Sequence, residues 1–199
     1  MDAQQHGLRL VEGYKVILAS NSPRRKELLG GLGIDFTVRT IKGIDESFPD
    51  TLKGEDIPKY ISGKKAEAYR NGMADDELII TADTIVYDKG QVLGKPKDAE
   101  DAKGMLRQLA GHAHDVITGV SVVTKEKTVQ FASTTRVYFD DLTDEEIDYY
   151  VSQFRPFDKA GAYGIQEWIG FIGVARIEGS FFNVMGLPVQ RLYNVLKSF

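Results

Sequence analysis

A chain of 199 residues with 25 Lys+Arg against 29 Asp+Glu, a net charge of -4, 42% hydrophobic residues and no cysteine has the make-up of an ordinary globular protein built on one sizeable core. The missing cysteines exclude disulfides, Cys-ligated zinc, iron–sulfur clusters and thiol nucleophiles, so a bound metal has to be held by oxygen or by the three histidines. With no run of Lys or Arg, a long nucleic acid would release few counterions on this surface, although a local cluster can still hold a small anion.

The first residues, MDAQQHGLRLVEGYK, lack the basic start and apolar run of a signal peptide, and no stretch reaches the length of a membrane span, which predicts a cytoplasmic protein without membrane partners. Residues 1–14 read as a polar extension and 15–199 as a single domain. Val16-Ile17-Leu18-Ala19 is a continuous apolar run ending in Ser20-Asn21-Ser22-Pro23, a buried strand turning into a helix with Ser22 as cap and Pro23 at its first position. Leu28, Leu29 and Leu32 give that helix an apolar face, Gly30, Gly31 and Gly33 end it, and 34–38 is strand-like. Residues 40–54, with Gly43, Pro49 and Gly54, read as a loop. Ile57, Ile61 and Ala68 then predict a helix of about 15 residues with Lys65 at the margin of its stripe.

The run 78–87, interrupted by Thr81, Asp83 and Thr84, is a strand turned at Asp88-Lys89-Gly90 and returning through Val92-Leu93 to Gly94-Lys95-Pro96. Asp98 caps a helix carrying Ala102, Met105, Leu106 and Leu109 and stopped by Gly111. Strands are expected over 116–124 and 128–139, and Thr143-Asp144-Glu145-Glu146 is a capping box opening another helix. Residues 158–166 read as a glycine-bearing loop, 169–177 as a strand pair, and a last helix from Pro188 turns Val189, Leu192, Val195 and Leu196 inward. Strands alternating with helices, with some antiparallel hairpins, predict an α/β fold with a mixed twisted sheet and flanking helices.

The strongest local chemistry is Ser20-Asn21-Ser22-Pro23-Arg24-Arg25, where free N–H groups at a helix start, hydroxyls and two guanidinium groups favour a phosphate. Taken alone, it also describes a capped helix with two solvated arginines. Asp83 lies inside an apolar run, where a buried carboxylate needs a cation, a donor or a solvent cleft; the alternative is that the strand ends at Ala82 and Asp83 opens a turn. Glu46 in its acidic loop, Lys65, Lys95 and Gln166 each have a bland surface reading when considered singly. His112 and His114 are too few and too closely spaced to make a convincing zinc site. Together, however, Arg24, Arg25, Lys65 and Lys95 suit a triphosphate, and Glu46 with Asp83 suits Mg²⁺ or Mn²⁺. That inventory describes a metal-dependent phosphate-ester hydrolase.

The segments 17–29, Asp45-Glu46, Lys65-Ala66, Ala82-Asp83-Thr84, Gly94-Lys95-Pro96, His114 with Thr118-Gly119-Val120, Lys159 through Gln166 and Gly186-Leu187-Pro188 resemble, in order, the Maf family of nucleoside triphosphate pyrophosphatases, a family linked to septum formation. The resemblance implies an elongated mixed sheet with two lobes around a cleft, a homodimer, a divalent metal cation, and hydrolysis of a nucleoside triphosphate to the monophosphate and pyrophosphate. It implies Asp83 as proton acceptor, Glu46 as metal-linked acid beside it, and Ser20, Arg24, Arg25, Lys65 and Lys95 as phosphate contacts. Arg24, Thr84 and Gln166 match the dTTP/UTP branch, whereas the 7-methyl-GTP branch has an aromatic residue, Gln and Glu at these places. Thr84 and Gln166 are expected to read the pyrimidine edge. Glu167-Trp168 departs from the family, which has Gly after the glutamine. The rival readings are the same chemistry on a modified nucleotide, and a nucleotide sensor that does not cleave.

Overall fold

The computed structural model describes residues 10–199. Strand β1 (Lys15–Leu18) ends where the polar turn begins, and Pro23, which has no N–H for a ladder, starts α1 (Pro23–Gly30); Ser22 Oγ accepts from Arg25 N at 3.4 Å as its cap. There follow β2 (Phe36–Val38), α2 (Asp56–Arg70), β3 (Glu77–Asp88), β4 (Gln91–Leu93), α3 (Ala99–Leu109), β5 (Ala113–Val123), β6 (Thr128–Phe139), α4 (Asp144–Phe154), a 3₁₀ turn at Ala160–Ala162, α5 (Trp168–Gly173), β7 (Val174–Glu178), α6 (Phe181–Met185) and α7 (Val189–Leu196). The sheet runs β2-β1-β3-β5-β6-β7, with β4 paired to the far end of β3. β1 is parallel to β2 and β3 and the remaining pairs are antiparallel, which is the expected mixed α/β sheet.

Side chains alternate across the sheet, and that alternation divides the core. On one face Leu18, Ile80 and Val120 pack beneath α1 and α7 with Leu29, Leu192 and Leu196. Further along the same face Val86, Val116 and Val137 meet Leu106, Ile147 and Ile169 of α3, α4 and α5. Thr84 lies on β3 between these two clusters. The opposite face, with Ile17, Ile79, Ile85 and Ile117, is covered by α2 through Ile57, Ile61, Ala66 and Tyr69. Helix α2 lies so close to β5 that a Cβ on Gly119 would stand 2.2 Å from the Pro58 carbonyl carbon, so no larger residue fits there.

Several expectations shift. The buried stripe of α2 continues through Ala66 and Tyr69, while Ala68 faces solvent. Strand β3 does not end at Ala82 but continues through Asp83 to Asp88. The strand pair expected at 169–177 is instead α5 followed by the single strand β7, which pairs with β6. No larger residue fits at Gly170 in this turn, because a Cβ there would stand 1.8 Å from the Ile165 carbonyl oxygen. Leu10, Val11 and Tyr14, from the stretch read as polar, pack on the core, while residues 1–9 lie outside the described residues. No helix among the described residues is long and apolar enough to cross a membrane.

His114 on β5 is buried with Nε2 2.6 Å from the Tyr163 hydroxyl, and burial lowers its pKa from 6.5 to about 4. The unfolded chain therefore takes up a proton near pH 6.5 that the folded chain refuses, so this stability is present above pH 6.5 and is lost as pH falls towards 4. Between pH 7 and pH 5 this group should remove ~1–2 kcal/mol of unfolding free energy. Urea denaturation of wild type and His114→Gln at both pH values checks this: the variant should lose less on acidification.

Candidate active site

Strand β1 pairs with β3 only as far as Ile80, and β4 joins β3 only at Val86, so residues 81–85 form an uncovered stretch of sheet edge. A cleft of about 720 Å³ opens against it, lined by the start of α1, the loop before α2, Lys65, the Gly94-Lys95 turn and the segment 158–166. All nine residues singled out in the sequence, Ser20, Arg24, Arg25, Glu46, Lys65, Asp83, Thr84, Lys95 and Gln166, line this one cleft.

Asp83 and Thr84 are neighbours on a strand and therefore point to opposite faces. Asp83, 9% exposed, faces α2, where Lys65 Nζ lies 2.8 Å from its Oδ1. The same ammonium lies 3.0 Å from Glu46 Oε1, so the two carboxylates meet at one cationic point. The loop carrying Glu46 is docked by the adjacent pair: Lys64 Nζ donates to Asp45 Oδ2 at 2.8 Å and to the Ser47 carbonyl at 3.0 Å. Lys64 and the Ser47 hydroxyl and N–H hold the Asp45 carboxyl well below its usual range.

Thr84 faces α1. Arg25 donates from Nη2 to Thr84 Oγ1 at 3.1 Å and from Nε to the Gly186 carbonyl at 2.8 Å. Burial lowers the Arg25 pKa; Asp83 and Glu46 work against that shift and Arg24 adds to it. The Thr84 and Thr118 hydroxyls lie 2.8 Å apart, with the Asn183 carbonyl 3.2 Å from Thr118 Oγ1 and the Gly186 carbonyl 3.5 Å from Thr84 Oγ1 as acceptors for their protons. Ser20, 8% exposed, accepts from Ser22 N at 3.2 Å, and Lys95 is exposed at the rim.

Asp158 and Lys159 complete the wall, backed by Glu167 and Tyr150. Arg24 Nη1 pairs with Asp158 Oδ2 at 3.2 Å, and the other oxygen of Asp158 lies 2.8 Å from Lys159 Nζ. Burial pushes the Asp158 carboxyl up, but Lys159 and Arg24 outweigh it and leave it lowered. Lys159, 9% exposed, also pairs with Glu167 Oε1 at 3.1 Å. Tyr150 on α4 donates to Glu167 Oε2 and accepts from Gly164 N at 3.0 Å. Burial, followed by Glu167, pushes the Tyr150 hydroxyl above its usual range, so it remains a donor. Gln166 Oε1 is buried without a protein partner. The sequence reading includes Lys159 within a family segment but gives it no role, and nothing local marks Asp158 or Tyr150.

Residues 15–199 match the family described as Maf-like protein, and the chain belongs to this family. It is 62% identical over 190 residues to the dTTP/UTP pyrophosphatase of Phocaeicola vulgatus, covering 96% of this chain and 98% of that protein. It is 58% identical over 192 residues to the dTTP/UTP pyrophosphatase of Parabacteroides distasonis, covering 96% and 100%. Among solved structures it is similar to the Staphylococcus aureus Ham1 protein, with a TM-score of 0.48, 16% identity and coverage of 92% and 98%.

Because Lys65 pairs with both Glu46 and Asp83, Lys65→Met should leave two facing carboxylates and lower unfolding free energy by about 2–4 kcal/mol at pH 7. Adding Asp83→Asn should restore most of that loss. Urea denaturation of both singles and the double variant checks the coupling; strictly additive losses would contradict it.

Proposed function

We propose that this protein hydrolyses dTTP and UTP to the nucleoside monophosphate and pyrophosphate. The observation that carries this reading is the convergence of Arg24, Arg25, Lys65 and Lys95 on one cleft whose uncovered sheet edge presents Asp83. The relatives named dTTP/UTP pyrophosphatase support the substrate. In this proposal the phosphates lie against Ser20 and the start of α1, where N–H groups and guanidinium groups neutralise them. Asp83 accepts the proton of a water that attacks the α-phosphorus; the new P–O bond forms as the bond to the bridging oxygen of the β-phosphate breaks and pyrophosphate leaves. Positioning and charge neutralisation supply most of the rate, as in other phosphoryl transfers.

Glu46 and Asp83 would hold a divalent cation. Their oxygens already converge on one cationic point, and two carboxylates leave the remaining positions to water and phosphate oxygens, as Mg²⁺ or Mn²⁺ favours. Such an ion would neutralise charge on the phosphates. Gln166 Oε1, buried and unpartnered, suits the imide N–H that uracil and thymine share. A cytoplasmic homodimer belongs to the same proposal and rests on the family likeness alone.

The test is pyrophosphate release from dTTP, UTP, CTP, GTP and 7-methyl-GTP, with and without added Mg²⁺ or Mn²⁺. Faster release from dTTP and UTP, abolished by chelation, is expected. A preference for 7-methyl-GTP would overturn the pyrimidine assignment, and no release from any nucleotide would overturn the enzyme in favour of a sensor. Asp83→Asn should lower kcat by at least about 10³-fold while nucleotide binding by calorimetry changes little. Near-normal turnover in that variant would overturn the role of Asp83.

A further inference from the structure

Glu167 and Trp168 directly follow Gln166, and both grip the same helix. Glu167 Oε2 accepts from the Tyr150 hydroxyl, and the Trp168 ring lies edge-on to Tyr149 with centroids 4.8 Å apart. A consecutive acid–aromatic pair thus meets the consecutive tyrosines of α4. The Tyr150 hydroxyl also accepts from Gly164 N at 3.0 Å, so one buried oxygen ties down the backbone two residues before Gln166 and the side chain one residue after it. From the other side, Glu167 Oε1 lies 3.1 Å from Lys159 Nζ, itself 2.8 Å from Asp158. Gly164 is pressed between them: a Cβ there would stand 3.0 Å from Lys159 Cε and 3.1 Å from the Glu167 carboxyl carbon. The loop is held at its root as well, where Gly161 N donates to the Gly94 carbonyl at 3.1 Å.

Gln166, at the centre of this clamp, has its side-chain Oε1 buried without a protein partner. A buried acceptor discriminates between bases only when it is held still, because a free amide turns to satisfy whichever edge is offered. Thymine offers a donor at N3 where cytosine offers an acceptor. We propose that Glu167 is a positioning residue for base selection: through Tyr150 and Lys159 it fixes the loop that aims Gln166 at the imide edge. This rests on the pyrimidine-hydrolase reading above and adds to it a residue outside the nucleotide cleft's own lining.

The experiment measures kcat and KM for dTTP and dCTP in wild type, Glu167→Gln, Tyr150→Phe and the double variant, together with inhibition by inorganic pyrophosphate, which has no base. Glu167→Gln keeps the side-chain shape and removes the charge that holds Lys159; Tyr150→Phe removes both hydroxyl links while its ring keeps its stacking on Phe154 at 5.2 Å. Each single variant should lower the dTTP-to-dCTP ratio of kcat/KM by about tenfold. The double variant should do little more, and pyrophosphate inhibition should stay within about twofold. A purely structural role would slow both nucleotides equally and leave the ratio alone. If wild type discriminates and both variants keep that ratio, the positioning role is overturned while the hydrolase stands. If wild type hydrolyses dTTP and dCTP equally well, base reading itself is overturned and Glu167 has nothing to position.

Discussion

The site depends on a gap in the sheet. β1 leaves β3 after Ile80 because the chain must turn into α1 at Pro23, and β4 does not arrive until Val86. Strand β3 is held throughout this interval by β5 on its other side, from Ile79 to Tyr87, so its backbone stays extended although one edge is bare. An extended strand must alternate its side chains, and the gap therefore delivers Asp83 to α2 and Thr84 to α1 from adjacent positions. In this gap Asp83 is held by a rigid strand and still faces the cleft.

The cleft's electrostatics follow from that placement. Three of the cleft's cations already have protein partners: Lys65 has Asp83 and Glu46, Arg25 has Thr84 and the Gly186 carbonyl, and Arg24 has Asp158. These partners are not equivalent. Arg25 is half-buried and bonded through its Nε to a backbone carbonyl, so it is held in place and ties the corner between α6 and α7 to the sheet. Arg24 is held by an Asp158 side chain that is 59% exposed, an ion pair worth little in water and readily exchanged for a phosphate. The net charge of -4 does not by itself oppose anion binding, because Arg24, Arg25, Lys65 and Lys95 are gathered on one cleft.

What could be read from the chain follows the range of the interaction. Caps and turns are local: Ser22, Asp98 and the Thr143–Glu146 box behave as their spacing says, since donor and acceptor lie within one turn. Lys65 was legible only as a residue at the margin of a stripe, because helical spacing says which face it occupies but not that Asp83 lies across from it. The error at 169–177 has a similar origin: Ile-Gly-Phe-Ile-Gly fits a strand or a helix by apolar content alone, and its packing, with Gly170 pressed against the Ile165 carbonyl, is not encoded in any local pattern. Lys159, Asp158 and Tyr150 were invisible as a group for the same reason, since their association joins α4 to a loop in three dimensions.

The hydrogen-bond chain from Arg25 through Thr84 and Thr118 to the Asn183 carbonyl bears on how a nucleotide would be read. Thr84 accepts from Arg25 and has both the Thr118 hydroxyl and the Gly186 carbonyl within reach of its own proton. Asn183, fully buried, uses its amide N–H groups on the Val116 and Ser133 carbonyls and on Thr135, which ties α6 to β5 and β6. In the proposed reaction Thr84 would therefore also serve as the support that orients Arg25. Base reading in that proposal rests on Gln166, whose side-chain oxygen has no protein partner, and on the contacts from α4 that hold its loop. Phosphate binding and base reading would then draw on different parts of the fold, the first on α1, α2 and the gap in the sheet, the second on α4 and the segment it pins.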